Sequence, residues 1–338
     1  MIKVSAPGKI ILFGEHAVVY NKLGIACAIG KRCLVKISPF LKEGILIESK
    51  NFKLKKFISK KKLFEFFRLL KNLKKEKKFE KIKEIYKKDK LSPTLFVLGN
   101  IFQKYGFKNL KIEINSEIPK NLGSSSALFS ALSFGVLKFF KKNPTKKEVS
   151  DFAFEGDIVA HGGTPSGIDN ATCTFGGYLI YKKSKGIKPL KIDFEIPLLI
   201  VDSKRKSKTA QTVSFIRIQK KENPQFVKSV LNNLDTISKE ALKSLRSKNL
   251  KNLGQLMFDY YQELRKLKIS TLKLDKIIEI ARKNGALGAK PTGGWGGGCC
   301  LVLAKNQKEI LNLKREFAKN GFPSFQTKIG VEGVKLIS

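Results

Sequence analysis

No run in this chain approaches the roughly 18–20 apolar residues that a membrane-spanning helix needs. The opening residues, Met1 to Gly8, also lack the charged-then-apolar order of a secretion signal. The five cysteines, Cys27, Cys33, Cys173, Cys299 and Cys300, form neither a CxxC pair nor a zinc-ligand spacing. An odd, scattered set fits reduced thiols, so a soluble chain of the cytoplasm is expected. The P-loop pattern GxxxxGK[ST] is absent, as are internal repeats, low-complexity linkers and RNA-binding motifs. Acidic residues are few, 28 against 67 lysines and arginines, for a formal net charge of +39. Such a charge invites a nucleic-acid partner. Yet arginine, the residue of planar phosphate and base forks, is scarce. The lysines are spread along the chain, and aromatics are not interleaved with them as a stacking surface requires. Biased composition accounts for the charge, and nucleic acid is not an expected partner.

At 338 residues the chain exceeds the usual size of one hydrophobic core, so two domains are expected. Short β-branched runs punctuated by Gly and Pro predict strands at Ile2–Ala6, Lys9–Phe13, Ile25–Ile29 and Cys33–Ser38. A lysine-rich amphipathic helix spans about 60–90, and Ser92-Pro93 starts another as cap and first helical residue. Asn109–Asn115 alternates like a strand. An apolar helix runs from Ser124 to Phe140, and the capping box Thr145 to Glu148 starts one that reaches His161. Residues 162–170 read as a loop, and Phe175–Tyr181 and Pro197–Val201 as strands. Helical patterns dominate from about Ala210 to Lys283. The chain then closes with Ala286–Lys290, a glycine loop, the strand Cys299–Ala304, a helix to about Asn320 and two short strands. Mixed strands and helices without regular βαβ alternation argue an α+β fold.

Four segments carry residues suited to chemistry. The turn Ile118 to Ala127 runs from a strand through Pro119, Lys120, Asn121, Leu122 and Gly123 into a helix opened by Ser124, Ser125 and Ser126. Exposed N–H groups and the helix dipole make such a start a phosphate site, although serine is also a plain helix cap. In Ala6 to Tyr20, apolar strand residues are interrupted by Lys9, Glu15 and His16; Glu15-His16 also suits a surface turn. Asp157 and His161 share one helix face at i,i+4, as a structural pair or as site residues. Asp169 follows in a Gly-, Pro- and Ser-rich loop, where a catalytic carboxylate and a turn-capping one are both at home. Finally, Lys290 to Cys299 packs five glycines into six positions around Trp295. That permits close backbone approach to a ligand or second loop, or a flexible hairpin.

In this order and spacing the four segments resemble the GHMP kinase superfamily over nearly the whole chain. Within it, Ala6 to Tyr20 and Pro165 to Asn170 followed by Gly176-Gly177 resemble the mevalonate kinase family. The resemblance implies a two-domain α+β GHMP kinase fold, with an ATP-binding domain over 1–190, a second domain over 191–338 and the active site in the cleft between them. It implies ATP as co-substrate, Mg²⁺, and phosphorylation of the 5-hydroxyl of mevalonate. Asp169 would be the catalytic base with Lys9 beside it. Pro119 to Ser126 would cradle the ATP phosphates, and Ser125 and Asp157 would hold Mg²⁺. Glu15, His16, Thr209 and Gly294 would lie near substrate, and the Gly293–Gly298 loop would brace the phosphate turn. Another GHMP kinase, such as a phosphomevalonate kinase, is the neighbouring reading. A basic nucleic-acid-binding protein on a kinase scaffold is the reading of another class. Monomer and homodimer both remain open.

The sequence departs from the family pattern in four places. The phosphate turn, usually P-x-G-x-G-L-G-S-S, is two residues shorter and lacks two glycines. Asp157 stands where glutamate is usual, and Trp295 replaces a glycine of TGAGGGGC, where the expectation is that its ring packs on the nucleotide or shifts the loop. The stretch His161-Gly-Gly-Thr-Pro165 carries one extra residue.

Overall fold

The computed structural model describes residues 1–163, 165–206 and 209–337 and, of residues 209 and 210, the backbone only. The four strands expected at the start are two long ones, β1 (Ile2–Phe13) and β2 (Gly24–Pro39), paired antiparallel. Pro7 and Gly8, which read as punctuation, lie inside β1. They coincide with a register shift at Pro7/Gly8, and a second shift falls at Ile11/Phe13. A bulge absorbs an extra residue without ending a strand.

β3 (Ile45–Ser49), β4 (Leu54–Ile58), β5 (Leu110–Ser116), β6 (Tyr178–Lys182), β7 (Gly186–Leu190) and the terminal β12 (Lys335–Leu336) complete the first sheet. Its order is β12-β1-β2-β5-β3-β4, with β6 on β2 and β7 on β6. The sequence did not announce β3, β4 and β7. They are short, and β4, with two lysines, and β7, with a glycine and a proline, are largely exposed or half-buried, which gives a weak period-2 signal. A second sheet, β11 (Ser324–Phe325), β8 (Leu198–Asp202), β10 (Cys299–Leu303) and β9 (Gly288–Thr292) in that order, is antiparallel throughout.

The helix expected over 60–90 is two, α1 (Lys60–Lys75) and α2 (Phe79–Lys88), broken where Lys77 takes φ 57. In α3 (Ser92–Tyr105) the Ser92 hydroxyl donates to the Asp89 carbonyl at 2.7 Å, so it does not cap the helix; Leu91 is the flanking residue. α4 (Ser124–Phe139) is buried on nearly every side because it lies against β1 and β2 below and against α3, α5 (Lys146–His161) and α6 (Ile168–Phe175) around it. That setting explains why its sequence is apolar all round instead of striped. The Thr145 hydroxyl caps α5 by accepting from the Glu148 N–H at 3.1 Å. The Glu148 carboxylate does not reciprocate and pairs with Lys104 at 2.7 Å.

The second half contributes α7 (Thr209–Glu222), α8 (Pro224–Arg246), α9 (Leu250–Lys266), α10 (Leu272–Lys283) and α11 (Gln307–Lys319). Among the described residues no helix is long and apolar enough to cross a membrane. α9 lies against β9 so closely that a Cβ at Gly288 would come within 2.1 Å of the Gly254 carbonyl oxygen. Backbone contact of that kind leaves no room for any side chain. Gly288→Ala should therefore destabilise the fold by about 1–3 kcal/mol through forced separation of α9 from β9. A urea midpoint indistinguishable from the parent's would show the contact to be softer than its geometry.

Candidate active site

The phosphate-type turn ends in Gly123, whose φ of 81 starts α4 with no side chain capping it. The three serines therefore do not serve as caps. The N–H groups of the first turn, which no residue of the same helix can satisfy, are left for a ligand. Asn121 sits at φ 73, in the left-handed region that asparagine tolerates better than other side chains. It thus supplies a conformation that the family pattern takes from glycine. The turn is locked to β1 by a backbone bond from the Lys9 N–H to the Leu122 carbonyl at 2.8 Å. Pro119 is half-buried, and Lys120 is exposed at the turn's tip.

Lys9 is only 4% exposed, and its Nζ stands 2.7 Å from Asp169 Oδ1. Asp169 lies in the first turn of α6, not in a loop as expected, because the helix begins at Ile168. That helix is fastened to its neighbours. The Asn170 side chain donates to Ser150 of α5 at 2.8 and 2.9 Å, and Ser130 of α4 bonds Thr174 at 2.8 Å. Burial pushes the Asp169 carboxyl up, but the Lys9 ammonium, with His161 as a lesser contributor, overcomes this and holds it below the usual aspartate value.

Asp157, on α5, behaves in the opposite way. It is 1% exposed, and burial, then repulsion from Asp169, drives its carboxyl well above the usual value. Both its oxygens accept from the Ser126 hydroxyl, at 2.8 and 2.9 Å. Ser125, the serine that the resemblance pairs with Asp157, is instead exposed. Asp157 and His161 do share a face, as their spacing predicts. Both line a pocket of about 180 Å³ with Asp169, Ser166 and Gly167.

Two cations on the pocket wall escaped the sequence reading: Lys83 of α2 and Arg217 of α7. Lys83 has Glu80 at 3.5 Å, whereas no acidic side chain among the described residues pairs with Arg217. A signal existed for Arg217. It is one of the rare arginines, and it shares a helical face with Val213 and Ser214, which also line the pocket. The Thr209 side chain lies outside the described residues, as do Thr164 and its part in the one-residue insertion.

Glu15 and His16 follow the end of β1 and are buried, 1% and 6% exposed. Neither lines the pocket. Glu15 forms an ion pair with the fully buried Lys290 of β9. Burial pushes the carboxyl up and the ammonium down, and each charge partly offsets the shift of the other. His16 adopts φ 61, and burial, then the Lys290 charge, lowers its imidazole to about 4, so it is neutral at ordinary pH.

The glycine loop abuts the phosphate turn: a Cβ at Gly293 would lie 3.5 Å from the Asn121 carbonyl oxygen. The Gly294 carbonyl accepts from the Thr212 hydroxyl of α7 at 2.6 Å. At Gly297, φ 145, a Cβ would sit 2.6 Å from the Lys206 carbonyl oxygen, so this position admits glycine alone. The Trp295 ring does not face the nucleotide side as a free surface. It is fully buried and stacked on Tyr261 of α9, centroids 6.1 Å apart.

Models of the GHMP kinases N terminal domain and the GHMP kinases C terminal match residues 93–177 and 241–323. The chain is 30% identical to the mevalonate kinase of Dictyostelium discoideum over 99% of its own length and 96% of that protein. It is 31% identical to the mevalonate kinase of Pyrococcus furiosus over 98% and 97%. The crystal structure of the Methanococcus jannaschii mevalonate kinase superposes with a TM-score of 0.79 at 26% identity, covering 100% of this chain and 98% of that one.

The placement of Trp295 is checked by fluorescence, because it is the sole tryptophan. Emission should be blue-shifted and shielded from acrylamide, and saturating ADP should leave the shielding unchanged. Ready quenching that nucleotide abolishes would put the ring on the nucleotide.

Proposed function

Because this chain belongs to the mevalonate kinase family of the GHMP kinases, we propose that it transfers the γ-phosphoryl group of ATP to the 5-hydroxyl of mevalonate, giving ADP and 5-phosphomevalonate. The observation that carries this reading is the Lys9–Asp169 pair, set beside a helix start whose N–H groups no side chain caps. The reaction needs a hydroxyl deprotonated as it attacks and a triphosphate held in line. Asp169, kept ionised by Lys9, accepts the hydroxyl proton through a carboxylate oxygen. The Gly123–Ser126 backbone and the start of α4 bind the phosphates. The Lys9 ammonium faces the charge that grows on the transferring group. Mevalonate carries a carboxylate, and Arg217, with Lys83 near it, supplies the pocket's cations for that end.

The donors present suit Mg²⁺. Asp157 and the serine hydroxyls are hard oxygens, and among the described residues no cluster of three or more His, Cys, Asp or Glu makes a complete protein cage. An ion bound chiefly through substrate phosphates and water needs only one or two protein oxygens. Asp157, with Ser125 or Ser126, would hold it, and Mg²⁺ would neutralise charge on the β- and γ-phosphates. We assign residues 1–190 to an ATP-binding domain and 191–338 to a second domain, dividing the chain where it leaves β7 for β8; β12 returns to the first sheet. We also assign the enzyme to the cytoplasm, consistent with its lack of a spanning helix among the described residues.

An ADP-release assay with ATP, Mg²⁺ and mevalonate tests the reaction, and preference for a phosphorylated acid would redirect it to a neighbouring kinase. Asp169→Asn should lower turnover by about 10²–10⁴-fold, the usual contribution of a positioned base. Near-parental turnover would remove Asp169 from the role. The Lys9 charge is what keeps the Asp169 carboxyl low against burial, and the base works only when ionised. Lys9→Met should therefore move the acidic limb of kcat/KM to higher pH. A limb that stays in place would separate Lys9 from the ionisation of Asp169.

A further inference from the structure

Glu15 is placed in a way that a substrate contact does not explain. Both its carboxyl oxygens are shielded: Oε1 meets the Lys290 ammonium, and Oε2 is buried with no hydrogen-bond partner. Lys290 is itself fully buried, donates to the Pro291 carbonyl at 2.9 Å, and lies against the rings of Phe13 and Tyr260, 5.7 and 5.2 Å from their centroids. Tyr260 grips the same turn. Its hydroxyl accepts from the Gly14 N–H and donates to the Glu15 carbonyl, both at 3.0 Å. One register further, the bulge at Ile11 leaves an N–H and a carbonyl that Thr292 of β9 takes up, both at 3.0 Å.

These contacts all join the second half of the chain to the end of the strand that carries Lys9. Lys290 and Glu15 pair at the end of the same strand whose Lys9 pairs with Asp169. Fixing that strand end against β9 therefore fixes the backbone from which Lys9 reaches Asp169. An unpaired buried carboxylate would instead neutralise and release its hold.

We propose that Lys290 and Glu15 are positioning residues that act as one unit, registering Lys9 and Asp169 from the opposite sheet, and that Glu15 does not contact substrate. The proposal rests on the kinase reading above. The unit lies between β9 and the β1 end, so the packing of the second sheet on that strand and the alignment of the catalytic pair are one arrangement.

The test is a double-mutant cycle, Glu15→Gln, Lys290→Met and both together, measuring kcat, KM for mevalonate and for ATP, and Tm. Each single variant should lose about 10–100-fold in kcat, the scale of a small misplacement of reacting groups, with both KM values within about twofold. The double variant should recover the Tm lost by Lys290→Met, because no buried charge is left unpaired, yet its kcat should be no lower than that of the worse single variant. Independent, multiplying losses in kcat, or parental kcat in the double variant, would overturn the unit. A rise in KM for mevalonate at unchanged kcat in Glu15→Gln would return Glu15 to the substrate. Parental enzyme inactive on mevalonate in the same assay would instead fault the kinase reading, and the Tm cycle alone would still report whether the two charges are coupled.

Discussion

Asp169 has to remain a carboxylate while crowded by protein and facing a second carboxylate, Asp157, on the next helix. Lys9 is the cation that makes this tenable, and its Nζ lies 2.7 Å from Asp169. The pair divides the two acids by environment. Asp169 is held low by the charge beside it. Asp157, further from that charge and enclosed, is pushed high. Two like groups with their affinities for protons driven apart can take different tasks: one as a base, the other as an oxygen donor that becomes fully charged when a metal compensates it.

The rest of the fold reads as support for where that cation stands. Lys9 cannot drift along its strand, because its own N–H holds the Leu122 carbonyl of the phosphate turn. The cation and the phosphate turn are therefore joined backbone to backbone. α4 begins at that turn and is buried on most of its surface, so it has no freedom to rotate. α6 carries Asp169 and is pinned by Asn170 and Thr174 to α5 and α4. On the far side, Thr292 and Lys290 of the second sheet and Tyr260 of α9 secure the end of β1. A site assembled from β1, α4, α5 and α6 is precise because each of its carriers is locked to another carrier.

Much of this was legible in the sequence where the signal was local. The apolar run after Ser124 reads as a helix because it is one, and the spacing of Asp157 and His161 does put both on the pocket. The capping box at Thr145 was half right, since a hydroxyl cap depends on neighbours in sequence while Glu148 found Lys104 instead. What failed had causes elsewhere in space. Asp169 looked like a loop residue because Gly, Pro and Ser precede it, yet packing on α5 and α4 makes a helix of Ile168–Phe175. Lys290 looked like the last residue before a glycine loop. Its partner is 275 positions away, and no pattern in one sequence links them. The resemblance singled out Ser125 as the partner of Asp157 at the metal; only the direction of the helix start decides that Ser126 faces Asp157 and that Ser125 faces outward.

Two of the departures from the family pattern share one physical cost. Asn121 at φ 73 and Trp295 at φ 57 place side chains in the left-handed region, at about 1–2 kcal/mol per residue for an ordinary L-residue. Asparagine lowers that cost by its short polar side chain. Tryptophan has no such relief in its backbone, but it is fully buried and stacks on Tyr261, and burial of so large a ring outweighs a strain of that size. The strained residue is thus anchored in the core of the second half, two positions from Gly293, which approaches the Asn121 carbonyl. A loop of glycines alone would touch the phosphate turn only as often as its own flexibility allowed. Tied down by Trp295, the loop is held against a turn that has itself traded glycine for asparagine, so a shorter and less glycine-rich cradle keeps its shape through contact with its neighbour.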